Sequence, residues 1–174
     1  MTRIIDRDET RAWLAFRGLL AENDPLGRLE RSKFVEVRSF TVPPYVGTRT
    51  ALAEALAGFF VKESEVLLHV NDWGVWHEED WNLFARFRQA LGETAKLSDK
   101  PGHLLSADDH ADLVSLLCLV LYFNWGASIV ASSGELAVEI SHDEIGWLYA
   151  ADECMVDNRQ LEWLDQVLAR KGCS

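Results

Sequence analysis

Apolar residues recur at spacings of three and four along five stretches of the chain. This spacing places them on one side of a helix, so it predicts amphipathic α-helices. The predicted helices span residues 8–22, 49–61, 77–91, 107–123 and 158–170. Leucine and valine cover nearly every side of the fourth helix, which is typical of a helix that is largely buried.

Polar residues mark the ends of several of these helices. Asp6 or Asp8 stands where an N-cap is expected for the first helix, and Asn23-Asp24-Pro25 is expected to stop it. The segment Ser106–Asp109 resembles a capping box, and Asp157 precedes the last helix. These residues place the helix starts more firmly than the apolar spacing alone.

Shorter apolar segments predict strands. Residues 33–42 carry alternating β-branched and aromatic residues, and residues 65–71 form a nearly continuous apolar run, as in a central strand covered on both faces. Residues 128–131 and 136–140 flank a turn that contains glycine, which indicates a hairpin, and a short strand follows at 145–149. We therefore expect an α+β or mixed α/β fold, with a four- to five-stranded mixed sheet packed against about five helices.

Length and charge restrict the classes of function. The chain has 174 residues, a length that predicts one globular domain over residues 1–174. Its 17 Lys and Arg against 28 Asp and Glu give a net charge of −11. Sequence-independent nucleic-acid binding relies on Lys and Arg, so we expect no nucleic-acid partner. The longest apolar stretch, Leu113–Trp125, is shorter than the about 20 residues that a membrane span needs.

Three cysteines indicate the compartment. Cys118, Cys154 and Cys173 form no C-x-x-C pair, and their odd number fits a reducing cytoplasm better than a disulfide scaffold. The N-terminal residues 1–8 turn polar too early for a signal peptide. The sequence therefore predicts a cytoplasmic protein that makes no contact with a membrane.

Strong catalytic and metal-binding motifs are absent from the sequence. It contains no dinucleotide-binding or P-loop glycine pattern, no zinc-protease helix and no nucleophile elbow. His77 and Glu78 begin like a zinc-binding helix, but the fifth position holds Trp81 instead of a second histidine. We expect neither a metal ion nor a cofactor.

Two histidine segments are candidates for acid–base chemistry. In the segment Ser141-His142-Asp143-Glu144, carboxylates adjoin a histidine, and a carboxylate can orient the ring as a general base. The alternative is a polar turn whose carboxylates cap backbone N–H groups. His69 precedes Asn71 and Asp72 at the end of an apolar strand, where ligands bind in parallel sheets. The alternative is a core histidine satisfied by hydrogen bonds.

These two segments make one site only if the fold brings them together. His69, Asp72, His142, Asp143 and Glu144 would then form the candidate acid–base or metal site of a small hydrolase. The spacing along the chain does not decide whether they converge.

A third candidate is a loop that combines tryptophan with acidic residues. The chain has seven tryptophans, and Trp73 and Trp76 flank a glycine in this loop. Tryptophan is enriched at the centres of protein interfaces. The alternative is that both rings fold under a helix. The acidic neighbours of the two tryptophans are Asp72, Glu78, Glu79 and Asp80.

Size, acidity and tryptophan content together resemble those of bacterial nuclease inhibitors, a resemblance of composition that identifies no family. The first hypothesis is accordingly a non-catalytic inhibitor or immunity-type module that binds a basic protein partner with this acidic, tryptophan-containing loop. The second is the small hydrolase or metal-dependent enzyme. The third is a structural protein that self-associates into a homo-oligomer through exposed tryptophans.

Overall fold

A seven-stranded sheet organises the protein in its computed structural model, which describes residues 2–21, 29–72, 78–96 and 98–170. The strands are β1 Arg3–Ile5, β2 Val35–Thr41, β3 Glu65–Asp72, β4 Gly102–Ser106, β5 Gly126–Ala131, β6 Leu136–Ile140 and β7 Ile145–Ala150. The α-helices in the described residues are α1 Arg7–Phe16, α2 Val46–Gly58, α3 Glu78–Ala90, α4 His110–Tyr122 and α5 Asn158–Leu168. The fold is a single α+β domain.

The strand order is β1-β4-β3-β5-β6-β7-β2, and every pairing in this sheet is antiparallel. The prediction of a mixed sheet with four to five strands is therefore wrong in strand number and direction. The two strands that the pattern missed are β1, only three residues long, and β4, whose five residues include Gly102 and His103. Neither is long enough to show a clear alternation.

The strand order also determines which strand ends lie at the same edge of the sheet. Both β3 and β6 pair with β5 in antiparallel fashion, so they run in the same direction on either side of it. Their C-terminal ends therefore lie at the same edge of the sheet. That edge carries Asp72 and, just beyond Ile140, the turn at 141–144.

The main hydrophobic core lies between one face of the sheet and the helices. Leu68 of β3 packs in this core with Leu52 of α2, Leu116 of α4 and Leu164 of α5. On the opposite face, Leu14 of α1 belongs to a smaller cluster, together with Leu67, Leu104, Val130 and Ala137. Polar side chains occupy the adjoining part of this second face, and they form the candidate site described below.

The first helix is shorter than its apolar spacing predicts. Asp6 caps α1 in a capping box with Glu9, which confirms one of the two expected caps. The helix ends at Phe16 instead of residue 22, because Gly18 turns the chain with a φ of 66°. Leu20 then forms an isolated antiparallel bridge with Leu29. Leu20, whose spacing from Phe16 predicts a longer helix, therefore belongs to this return segment.

The fourth predicted helix also differs in part from the expectation. Residues 107–109 form a 3₁₀ turn after Ser106, and the α-helix begins at His110. Leu113, Leu116 and Leu117 are buried, whereas Tyr122 is 54 % exposed. The helix is therefore buried on one side only. No helix among the described residues is both long and apolar enough to cross a membrane.

Glu93 fastens the segment between α3 and β4. Its carboxylate accepts hydrogen bonds from the Ala95 backbone N–H at 2.6 Å and from the Lys100 ammonium at 2.8 Å. These two donors, with Lys100 the larger cause, lower the pKa of Glu93 to about 2. Because both bonds need the ionised carboxylate, they stabilise the folded state at neutral pH.

Glu93→Gln is expected to reduce the acid sensitivity of the fold. A carboxyl group with a lowered folded-state pKa stabilises above its unfolded pKa, near 4.3, and loses this effect as the pH falls towards 2. The variant should be less stable than the parent by about 1 kcal/mol at pH 7, and the difference should vanish near pH 2. Urea unfolding across this pH range measures it. Glu162→Gln, on the exposed side of α5, is the control and should show no such difference.

Candidate functional site

A row of polar and aromatic side chains crosses four neighbouring strands on the face that carries α1. In the register of the sheet, His69 lies opposite Ser128, Ser128 opposite Glu139, and Glu139 opposite Trp147. Direct cross-strand partners point to the same side of a sheet, so the four side chains share one face. Of these four residues, only His69 is a candidate from the sequence. Glu139 could also have been noticed from the sequence, because it is a charged residue within the otherwise apolar strand Leu136–Ile140.

His69 belongs to the buried part of this row. It is 3 % exposed, and its neighbours in the sheet are Gly102 on one side and Ser128 on the other. Ser128 is 1 % exposed and accepts a hydrogen bond from the Asn71 amide at 3.1 Å. His69 therefore lies below the surface, three residues before the exposed end of β3.

An open cleft of about 180 Å³ lies above this row, at the edge where β3 and β6 end. Asp72, Ser141 and His142 line one side of it, and Arg31, Glu139 and Trp147 line another. The register of β3 against β5 shifts between Val70 and Asp72, and such bulges change the direction of a side chain. Gly126 permits the close approach here, because a Cβ at this position would lie 2.8 Å from the Cβ of Asp72.

His142 joins the two histidine–carboxylate segments. Its Nδ1 is 3.0 Å from Asp72 Oδ2, and its Nε2 is 3.4 Å from Asp143 Oδ1. The side chains of His142, Asp72 and Asp143 are 48 %, 39 % and 71 % exposed. We call these three residues the acidic edge. The structure thus brings Asp72, His142 and Asp143 together at the edge where β3 and β6 end, although neighbouring strands of this sheet are antiparallel and not parallel.

Glu144 has a different place in the molecule. Its carboxylate accepts hydrogen bonds from the Arg49 guanidinium at 2.8 Å and the Asn124 amide at 2.9 Å. Its backbone is left-handed, with a φ of 61°. These contacts fix the turn between β6 and β7, so Glu144 supports the acidic edge instead of lining the cleft.

Arg31 and Glu139 form the other wall of the cleft. Arg31 Nε is 2.7 Å from Glu139 Oε2, and the Glu139 side chain is only 8 % exposed. The guanidinium lies 5.3 Å from the ring centroid of Trp147. Burial, together with the Glu139 carboxylate, raises the pKa of Tyr149 to about 12. The wall therefore holds a buried carboxylate whose charge the arginine compensates.

The acidic edge contains two of the residue types of a catalytic triad, a histidine and the carboxylate that orients it. Asp72 fixes one nitrogen of His142, as the third member of a catalytic triad does. The other nitrogen faces Asp143, however, and no described hydroxyl or thiol forms a hydrogen bond with His142. Within the described ranges, no group of three or more His, Cys, Asp or Glu side chains has a geometry that could hold a metal ion.

The structure describes the surroundings of only some of the seven tryptophans. Trp73 and Trp76 lie outside the described residues, and of Glu78, Glu79 and Asp80 only the backbone, at the start of α3, is described. Trp125 is fully buried. Trp13 donates from Nε1 to Glu65 at 2.8 Å and lies under the Arg17 guanidinium. Both rings pack against hydrophobic core residues.

Comparisons with models of known protein families, with curated proteins and with solved structures find no match to this chain.

Proposed function

We propose that this protein is a non-catalytic, inhibitor-type binding module that holds a basic segment of a partner protein at the acidic edge. The observation that carries the proposal is the approach of Asp72 and Asp143, from opposite sides, to the imidazole of His142. Two exposed carboxylates on either side of one imidazole form a receptor for a lysine or arginine side chain, which would enter beside or in place of His142.

Charge outside the acidic edge supports the same function. A net charge of −11 attracts a basic partner and speeds its encounter. The chain continues directly from Asp72 into the segment that holds Trp73, Trp76, Glu78, Glu79 and Asp80. In the proposal, these tryptophans supply the apolar contact that charge alone does not provide. In the proposal, the encounter takes place in the cytoplasm, which the odd number of cysteines favours.

The proposal is tested by affinity capture from host lysate, followed by measurement of the captured protein's affinity. The parent protein should retain a basic partner at low salt and lose it as salt rises, because salt screens exposed charges. Asp72→Asn combined with Asp143→Asn should weaken binding at least about tenfold. Trp73→Ala combined with Trp76→Ala should weaken it similarly.

The control carries the same change of net charge at another place. Asp108→Asn combined with Glu162→Gln removes two exposed carboxylates from the turn before α4 and from α5. This variant should bind the partner nearly as well as the parent. Equal weakening by the control and by the acidic-edge variant would show that total charge, and not this edge, attracts the partner. Full binding by both the acidic-edge and the tryptophan variants would exclude the proposed surface.

The contact between Asp72 and His142 favours a second function, hydrolysis with His142 as general base. A panel of chromogenic carboxylic and phosphoric esters, assayed with and without divalent metal ions, tests it. Hydrolysis that His142→Gln and Asp72→Asn abolish, and that Asp108→Asn leaves unchanged, would replace the binding proposal. The binding proposal predicts no turnover of any of these esters.

Self-association, which the third hypothesis based on exposed tryptophans, is favoured instead by other exposed apolar side chains on the helical face. Val46, Leu83 and Tyr122 are 60 %, 55 % and 54 % exposed and border one shallow groove. Sedimentation at several concentrations separates a monomeric binding module from a homo-oligomer.

A further inference from the structure

A second cavity, of about 140 Å³, lies on the helical side of the sheet and shares no described lining residue with the cleft at the acidic edge. Its inner walls are Phe84 and Arg88 of α3 and Trp125, the residue before β5. Ala85, Thr94 and Lys96 also line it and are exposed, so they form its rim. A small molecule could enter there without disturbing the core.

Arg88 is the unusual member of this lining, since it is only 1 % exposed. Its Nη2 donates to the Lys100 carbonyl at 2.8 Å, but its Nε and Nη1 have no hydrogen-bond partner in the structure as described. Burial lowers the pKa of Arg88, against the opposing effect of Glu93 and Asp99. The Glu93 carboxylate accepts its hydrogen bonds from Lys100 and Ala95 and not from Arg88. A guanidinium buried with two free donors is unfavourable unless an acceptor binds them.

A third donor lines the same cavity. Trp125 is fully buried, and its indole Nε1 also has no partner within the described chain. Phe84 meets the Trp125 ring edge-on, with centroids 4.9 Å apart. His103, 5.7 Å from Phe84, adds no positive charge, because burial lowers its pKa to about 3. Arg88 and Trp125 thus bring hydrogen-bond donors without a partner to one cavity whose other inner wall, Phe84, is apolar.

We propose that this cavity binds a small organic carboxylate with a flat apolar body. The Nη1 of Arg88 would donate to one carboxylate oxygen, and the Trp125 N–H would donate to the other. The volume is close to the ~150 Å³ of a cavity that holds benzene. Phosphate fits less well, because Phe84, Ala85 and Ala95 would leave much of its charge without donors.

Benzoate is a suitable probe, with benzamide as its neutral analogue and inorganic phosphate as the alternative anion. Calorimetry should show saturable benzoate binding and no binding of benzamide at the same concentration. In the NMR spectrum, the indole N–H signal that is missing from Trp125→Phe should shift downfield when benzoate is added to the parent protein. A signal that shifts equally with benzamide would point to an apolar pocket and overturn the proposal.

Two variants separate the ligand contacts from the fold. Arg88→Met should lower benzoate affinity at least about 100-fold, because the positive charge and its charge-assisted hydrogen bond are both lost. Trp125→Phe keeps an aromatic wall and should lower affinity about tenfold. If Arg88→Met does not fold, Trp125→Phe still decides the question. Unchanged affinity in Trp125→Phe, absence of saturable benzoate binding, or tighter binding of phosphate than of benzoate would each contradict the proposed site.

Discussion

Replacing Arg49 with methionine is expected to lower the free energy of unfolding by about 3–5 kcal/mol. The guanidinium donates to the carbonyl of Pro43 at 2.7 Å, to the carbonyl of Leu121 at 2.6 Å, and to the side chains of Asn124 and Glu144 at 2.8 Å each. It thereby joins the start of α2, the end of α4 and the turn before β7. Methionine preserves the packing of the alkyl chain but leaves these acceptors without their donor.

Urea unfolding of Arg49→Met measures this loss. Arg86→Met is the matched control, because Arg86 is exposed on α3. Its effect should stay within about 0.5 kcal/mol. A loss below about 1 kcal/mol for Arg49→Met would mean that the turn carrying the acidic edge holds its position without Arg49.

Replacing Arg31 with methionine is expected to cost about 2–4 kcal/mol, although the arginine itself is 57 % exposed. The cost arises at Glu139, whose side chain is 8 % exposed and would lose the guanidinium that is 2.7 Å away. Burial of an uncompensated carboxylate is more unfavourable than loss of an exposed ion pair.

A double-mutant cycle isolates this effect. Glu139→Gln removes the charge, so the double variant Arg31→Met, Glu139→Gln should recover most of the stability that Arg31→Met loses. Strict additivity of the two single changes would contradict the assignment, since it would mean that the arginine does not compensate the buried carboxylate. Because both residues line the cleft, the cycle also measures the interaction energy between two residues of its wall.

Most of the elements could be predicted from the sequence, because their signals are local. The hairpin of β5 and β6 follows from two apolar runs around a turn, and Asp157 caps α5 as its position predicts. The end of α1 was missed because the left-handed turn at Gly18 outweighs the apolar spacing that continues beyond it. Strand direction was also missed, since pairing depends on contacts between residues far apart in the chain.

The site could be predicted only as fragments. Asp72 and the segment 141–144 each carry a visible histidine or carboxylate signal, but their contact depends on β5 lying between β3 and β6. The ion pair between Arg31 and Glu139 depends in the same way on where the segment before β2 crosses the sheet. Arg88 gave no signal, because its helical position resembles an ordinary charged position on α3. Burial of a charged residue is a property of the packed fold, not of the local pattern.

In the proposed function, the acidic edge is the surface that holds a protein partner. NMR titration of the ¹⁵N-labelled protein with the purified partner tests it most directly. We expect the largest shifts at the backbone amides of Asp72, Gly126, Ser141 and His142, which surround the ends of β3 and β6. Shifts confined to the groove bordered by Val46, Leu83 and Tyr122, with the acidic edge unchanged, would contradict the claim and place the partner on the helical face.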